Sequence, residues 1–192
     1  MKSKKPRVSN QLRIIAGQWR GRKLNFPDGE GLRPTIDRVR ETLFNWLRGD
    51  VAGARCLDLF SGSGALGLEA LSHGAAQCTF VEKNSVAVAS LKANLALLKC
   101  DVGSVVAQDA FEFLARQSRP FDLIFLDPPF GQSLLQRSID EIAQRQLLSP
   151  TGLIYLESEL DLTALTLPVN WELVRHKKAG QSHYGLLSTT QC

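Results

Sequence analysis

From Arg55 onward the chain repeats one pattern, an apolar strand, a glycine or Asx turn and then a helix, and few folds accommodate it. Strands are expected at residues 56–60, 78–81, 104–107, 121–126 and 152–157. Helices are expected at 65–72, from the Asn84 cap to about Lys99, from the Asp109 cap to about Gln117, and at 134–145. The stretch Phe121-Asp122-Leu123-Ile124-Phe125-Leu126 is apolar at nearly every position rather than at every second one, the mark of a strand covered on both faces. Strands of that kind separated by helices predict an α/β domain with a mostly parallel sheet and helices on both sides. The tail breaks the alternation: strands at 171–176 and 184–188 meet at Gly180 with no helix between them, which predicts an antiparallel hairpin at one edge.

Ahead of the sheet, residues 12–16 and 19–24 read as a β-hairpin turning at Gly17, and a helix follows Pro34-Thr35 with Ile36, Val39, Leu43, Trp46 and Leu47 on one face. The chain divides accordingly into a basic flexible terminus (1–10), a hairpin-and-helix extension (11–50) and the main α/β domain (51–192). With 44% hydrophobic and 22% charged residues, the composition excludes a disordered tail or a fibre. No apolar run approaches the roughly 18 residues of a membrane span. The basic start has no apolar core behind it, so a cytoplasmic protein without a membrane role is expected. Cys56, Cys78, Cys100 and Cys192 are scattered and predict free thiols, and no metal site is expected.

The net charge of +4 is unevenly spread. The first 48 residues hold 12 Lys/Arg against 4 Asp/Glu, and the first 23 hold eight cations and no acid. In the hairpin, Arg13, Arg20, Arg22 and Lys23 alternate with apolar residues, which predicts a folded ribbon facing phosphates; nucleic acid is the natural polyanion.

Three features carry chemistry. Gly62, Gly64 and Gly67 form G-x-G-x-x-G between a strand and a helix, a turn that lets backbone amides approach a cofactor. Glu82 ends the next strand, where a carboxylate can accept from both ribose hydroxyls, as in nicotinamide and S-adenosylmethionine sites alike. Asp58, four residues before the first glycine, separates the two: it would repel a pyrophosphate but suits the cationic amine of a methionine moiety. Asp109 stands either at the pocket rim, bonding an adenine amine, or as a helix cap. Finally, Asp127-Pro128-Pro129-Phe130 follows the fourth strand at its carboxyl end. Its prolines fix the backbone, so the Asp127 carboxylate and the Pro128 carbonyl can hold the hydrogens of an exocyclic base amine, and Phe130 offers a stacking face.

In this order (D-x-F-x-G-x-G, an acid ending the second strand, then D-P-P-F) the chain resembles the class I S-adenosylmethionine-dependent methyltransferases that modify base amines. It is most similar to the bacterial small-subunit rRNA guanine-N2 methyltransferase family. The resemblance runs over roughly residues 10–190. It takes in Arg13-Ile14-Ile15-Ala16-Gly17, Leu32-Arg33-Pro34-Thr35, Arg38-Val39-Arg40-Glu41, the stretch 58–74, Asp127–Phe130 and Gly180-x-Ser182-x-Tyr184-Gly185. It implies a Rossmann-like seven-stranded sheet with S-adenosylmethionine as donor. The acceptor it implies is one guanine of 16S rRNA in an assembled or assembling small subunit. Asp58, Phe60, Gly62, Gly64, Glu82 and Asp109 would contact the donor, and Arg33 and Thr35 would close over its methionine end. Asp127, Pro128 and Phe130 would hold the base. Arg13, Arg20, Arg22, Lys23 and Arg38 would face RNA, while Tyr184 either borders the base pocket or belongs to the core. A monomer is expected.

Many amino-methyltransferases carry Asn where this chain has Asp127. A carboxylate only accepts, which suits the N1–H and N2 amine of guanine and opposes the N1 lone pair of adenine. The competing readings are an adenine-N6 methyltransferase of DNA or RNA, a nicotinamide-dependent oxidoreductase, and a non-catalytic RNA-binding assembly factor.

Overall fold

The computed structural model describes residues 10–26, 37–129 and 133–190. A two-stranded antiparallel ribbon, β1 (Asn10–Arg13) and β2 (Lys23–Phe26), precedes α1 (Asp37–Trp46). The alternating part follows as β3 (Arg55–Asp58), α2 (Ala65–Ser72), β4 (Gln77–Glu82), α3 (Ser85–Leu97), β5 (Gly103–Ala107), α4 (Ala110–Ala115), β6 (Phe121–Leu126) and α5 (Leu134–Gln144). Three strands close the chain: β7 (Leu148–Ser158), β8 (Trp171–Ala179) and β9 (Ser182–Thr189), with a 3-10 turn at Leu162–Ala164 between β7 and β8.

The seven strands β3 to β9 form one sheet in the order β5-β4-β3-β6-β7-β9-β8, parallel from β5 to β7 and antiparallel at β9 and β8. This is the expected Rossmann-like sheet with an antiparallel hairpin at one edge. β9 is inserted between β7 and β8, so the hairpin joins the sheet through its second strand. β7 is longer than expected, because it starts at Leu148 and bulges opposite Phe121–Leu123.

Local chemistry explains the helix starts. The Asn84 carboxamide accepts from the Val86 and Ala87 amides, and the Asp109 carboxylate accepts from Phe111 and Glu112, each satisfying donors that a first turn leaves unpaired. Burial explains the layers. One face of the sheet packs Phe80, Phe125 and Tyr155 against Leu43 and Phe44 of α1, Leu68 and Leu71 of α2, and Leu91 and Leu95 of α3. The other packs Leu57, Ile124 and Ile154 against Leu114 of α4 and Ile139 and Ile142 of α5. β6 contributes to both cores, which accounts for its being apolar at every position but Asp122.

The ribbon differs from its expected form. Its strands lie further apart along the chain, and residues 14–22 make a broad loop with left-handed turns at both Gly17 and Gly21. The cause is docking rather than hairpin propensity. The Ser72 carbonyl accepts from the Gln18 amide at 2.8 Å, the Ser72 hydroxyl accepts from the Trp19 amide at 3.1 Å, and it donates to the Ala16 carbonyl. A Cβ on Gly17 would overlap the Ser72 carbonyl. Leu12, Ile14, Leu24 and Phe26 are buried in the same core as α1, α2 and α3. Cys56, Cys78 and Cys100 are free thiols; Cys192 lies outside the described residues.

Candidate active site

The glycine turn is built at the carboxyl end of β3. Gly62 and Gly64 both have positive φ (50° and 78°), a geometry costly for residues with a Cβ. Gly64 stands as the N-cap of α2. Gly67 has a different reason: a Cβ there would strike the Phe80 ring and come within 2.8 Å of the Cys78 Sγ. The third glycine lets α2 lie close on β4.

Asp58 is buried beneath this turn, with one carboxylate oxygen accepting from the Gly67 amide at 3.1 Å. Burial pushes its carboxyl up to about 7; the Gly67 amide opposes the shift and the nearby charge of Glu82 adds to it. Glu82 straps the turn to the end of β4, accepting from the Gly62 amide at 2.9 Å through one oxygen and from Asn84 at 2.7 Å through the other. Further along this edge one oxygen of Asp109 caps α4, and Phe60 meets Phe111 edge-on at 6.5 Å.

β6 delivers Asp127 and Pro128 beside this turn. Asp58 pairs with Phe125, and just past the end of the strand come Asp127, half-buried, and Pro128, buried. Neighbouring β7 supplies a group that sequence reading passed over. Leu126 pairs with Leu156, which puts Glu157 beside Asp127 on the next rung. The Tyr155 hydroxyl donates to the Glu157 carboxylate at 3.0 Å, and the Ser182 hydroxyl lies nearby and favours the ionised form. Burial raises the Glu157 carboxyl above its usual range despite these two donors. The Tyr155 phenol is pushed well up by burial first, then by the charges of Glu157 and Asp127. Only the position of Glu157 as an acid ending a strand, like Glu82, hinted at a role.

Tyr184 is buried and pairs with Glu157 across β9. It stacks on Trp46 of α1 at 5.5 Å between ring centres, and Lys177 of β8 lies 5.7 Å from the Trp46 ring. Tyr184 thus joins the core while also standing beside the Asp127–Glu157 edge.

Three expected site residues, Arg33, Thr35 and Phe130, lie outside the described residues, as does the basic start of the chain. Arg13, Arg20, Arg22, Lys23 and Arg38 are all exposed. The structure does not bring Arg20 and Arg22 to the glycine turn. They sit by the C-terminal ends of α2 and α3, where the Arg22 guanidinium donates to the Leu97 carbonyl at 3.3 Å. Arg13 and Arg20 line a pocket of about 250 Å³ with Asp37 and Glu41 of α1.

A buried polar knot was also not anticipated. The fully buried Arg40 donates to the Glu69 carboxylate (3.4 Å), to the Arg13 carbonyl (2.9 Å) and to Asp37 (2.6 Å). Glu69, itself buried, accepts from the Ile15 and Ala16 amides at 2.8 to 3.1 Å. The ribbon is thereby tied to the helix that leaves the glycine turn. His176 and His183 also meet, ring nitrogens 3.2 Å apart, with Asp161 about 4 Å away. They are far from metal-ligand spacing in sequence and converge only because β8 and β9 form a hairpin.

A family profile described as conserved hypothetical protein 95 matches residues 12–188. The chain belongs to this family. Its curated relatives include the ribosomal RNA small subunit methyltransferase D of Escherichia coli K12, 51% identical over 178 residues that span 93% of this chain and 90% of the relative. The protein of the same name from Haemophilus influenzae is 46% identical over 94% of this chain and 95% of its own. A solved Escherichia coli structure described as that of a methyltransferase is 50% identical, covers 94% of this chain and 99% of its own, and superposes with a TM-score of 0.88. The family thus extends over the ribbon as well as the sheet.

Proposed function

We propose that this protein transfers the methyl group of S-adenosylmethionine to the N2 amine of one guanine of 16S rRNA, in an assembled or assembling small subunit. We take it to act as a cytoplasmic monomer; among the described residues no helix is long and apolar enough to cross a membrane. The observation that carries this reading is the proximity of two unlike carboxylates at one sheet edge. Asp58 is buried under the glycine turn, and Asp127 directly follows the neighbouring strand, beside a buried proline. The methyltransferase names of the relatives support it.

The residues present fit the donor. A buried carboxylate near neutrality at the base of the turn is complemented by an ammonium and opposed by a pyrophosphate. Asp58 would therefore hold the amine of the methionine moiety, Glu82 the ribose hydroxyls, and Asp109 with Phe60 the adenine side. Arg33 and Thr35 would close over the methionine end. When bound, S-adenosylmethionine supplies an electrophilic methyl on a sulfonium.

On the acceptor side, the guanine N2 lone pair is delocalised into the ring. Asp127 and the Pro128 carbonyl would accept its two hydrogens and aim the lone pair at the donor, with the base stacked on Phe130. As the N–C bond forms the methyl–sulfur bond breaks, and the positive charge growing on the nitrogen would be stabilised by the Asp127 carboxylate, with one N2 proton then passing to that carboxylate or to water. Holding the reacting atoms in line supplies most of the acceleration.

The test uses methyl-labelled S-adenosylmethionine and small subunits from cells lacking the gene, followed by nucleoside mass analysis. Label in N2-methylguanosine is expected, and Asp127→Ala should abolish it while leaving donor affinity within a few-fold. Label in N6-methyladenosine would overturn the guanine assignment. No label with donor binding intact would leave a binding factor.

A further inference from the structure

We infer that Glu157 is a specificity-determining residue of this site, accepting the N1–H of the target guanine while Asp127 and Pro128 hold its N2 amine. The inference rests on the function proposed above and adds a residue to it.

The register makes the case. One rung across the sheet carries Asp58, Phe125, Tyr155 and Leu186. Strands alternate faces with period two, so the next rung on that face, at the carboxyl edge, carries Asp127, Glu157, Tyr184 and Lys177. Adjacent strands lie about 4.8 Å apart, which puts the two carboxylates within reach of one base edge. The Tyr155 hydroxyl, which rises from the same face, bonds Glu157. Beyond them the stacked Tyr184 and Trp46 wall off the row, and Lys177 over Trp46 closes it with a cation suited to a phosphate.

Glu157 is more than a partner for Tyr155. A half-buried acid is a costly way to satisfy one phenol, and among the described residues no cation pairs with it. Its two oxygens offer about four acceptor positions, of which the Tyr155 hydroxyl and the nearby Ser182 account for at most two. The remaining capacity stands beside Asp127.

Guanine presents three hydrogens on one edge, N1–H and the two of N2. A single carboxylate gripping N1–H and one N2–H would hold the amine in the ring plane, the wrong orientation for attack. Dividing the donors between two acids leaves Asp127 and Pro128 to orient the amine alone. Adenine would turn its N1 lone pair toward Glu157, burying two acceptors against each other.

The decisive substrate is a small subunit reconstituted with 2,6-diaminopurine in place of the target guanine. That base keeps the N2 amine but has an acceptor at N1. The wild-type protein should prefer guanine by about 100-fold in kcat/KM, the cost of losing a charged hydrogen bond and facing two acceptors together. Glu157→Gln, whose amide can donate to that acceptor, should bring the ratio to within about threefold of unity or reverse it, with S-adenosylmethionine affinity unchanged. A role limited to supporting Tyr155 would lower both rates together and leave the ratio alone. Equal wild-type rates on the two bases would overturn the inference without recourse to a variant, and so would a folded, donor-binding Glu157→Gln with the wild-type ratio. Failure of the wild type to methylate guanine N2 at all would bring down the parent reading, and this inference with it.

Discussion

Replacing Glu69 by Ala should be the most damaging single change outside the apolar cores. The side chain is 1% exposed and accepts from two backbone amides, Ile15 and Ala16, and from the buried guanidinium of Arg40. Breaking a buried ion pair from one side typically costs about 3–5 kcal/mol, because the surviving charge keeps its desolvation penalty. Arg40 would retain Asp37 and the Arg13 carbonyl, which lowers that figure, although its Nε already has no partner. Two orphaned amides raise it again by about 1 kcal/mol each, near the low end, since Ile15 and Ala16 are half-buried and water can reach them. The sum is about 4 kcal/mol, and at roughly 0.4 kcal/mol per kelvin of unfolding entropy for a chain of this length it lowers Tm by about 10 °C. Glu69→Gln keeps the shape and an acceptor oxygen and should lose about half as much. Urea unfolding with m held constant measures both, and limited proteolysis within residues 14–22 reports whether the ribbon has come free. A Glu69→Ala protein within about 1 kcal/mol of wild type, with the ribbon still protected, would refute the claim that this carboxylate holds the N-terminal segment to α2.

Further outcomes follow from the site. The Asp58 carboxyl rises from the usual 3.8 to about 7 on folding, so the native chain keeps a proton that the unfolded chain has released, and this group's contribution to stability falls as pH rises between those values. An ammonium needs the ionised form, so S-adenosylmethionine affinity by calorimetry should rise about fivefold to tenfold between about pH 6 and pH 7.5, and Asp58→Asn should be weak and flat; a flat wild-type profile defeats the assignment. Gly67→Ala gains helix propensity but drives a methyl into the Phe80 ring, and should destabilise by about 1–2 kcal/mol in urea; a neutral result would mean that α2 can lift off β4 without loss. Arg20→Ala with Arg22→Ala should lower the slope of log K against log salt for rRNA binding by about 1.5 and leave donor binding alone. An unchanged slope would remove the loop from the RNA surface and leave Arg22 as a cap on the α3 carbonyls.

Sequence periodicity made the sheet legible because each parallel strand declares its environment locally. β6 is apolar on both faces, and Asn84 and Asp109 announce the helices that they cap. The ribbon was readable as a ribbon but not in its register. What positions residues 14–22 is a carboxylate and a hydroxyl more than fifty residues away, Glu69 and Ser72, and nothing around Gly17 signals them. Arg40 and Glu69 are charges within helical stretches, and nothing beside them in the sequence marks them as buried. Their burial follows from the ribbon lying over them, a long-range event that no local pattern carries.

The same division runs through the site. The half proposed to bind the donor spans Asp58 to Asp109, one strand–turn–helix unit after another, so spacing along the chain translates directly into position around the glycine turn. The half proposed to bind the acceptor is assembled across strands: Asp127 follows β6, Glu157 lies near the end of β7, and Tyr184 and Lys177 arrive from a hairpin whose second strand is the one inserted beside β7. Had β8 paired with β7 instead, Tyr184 would not stand opposite Glu157, and its stack on Trp46 would be lost from this edge. The antiparallel tail is thus more than an edge cover. It sets which side chains stand beside Asp127 and Glu157, and so the part of the molecule that departs from the alternating pattern is also the part on which the proposed discrimination between bases depends.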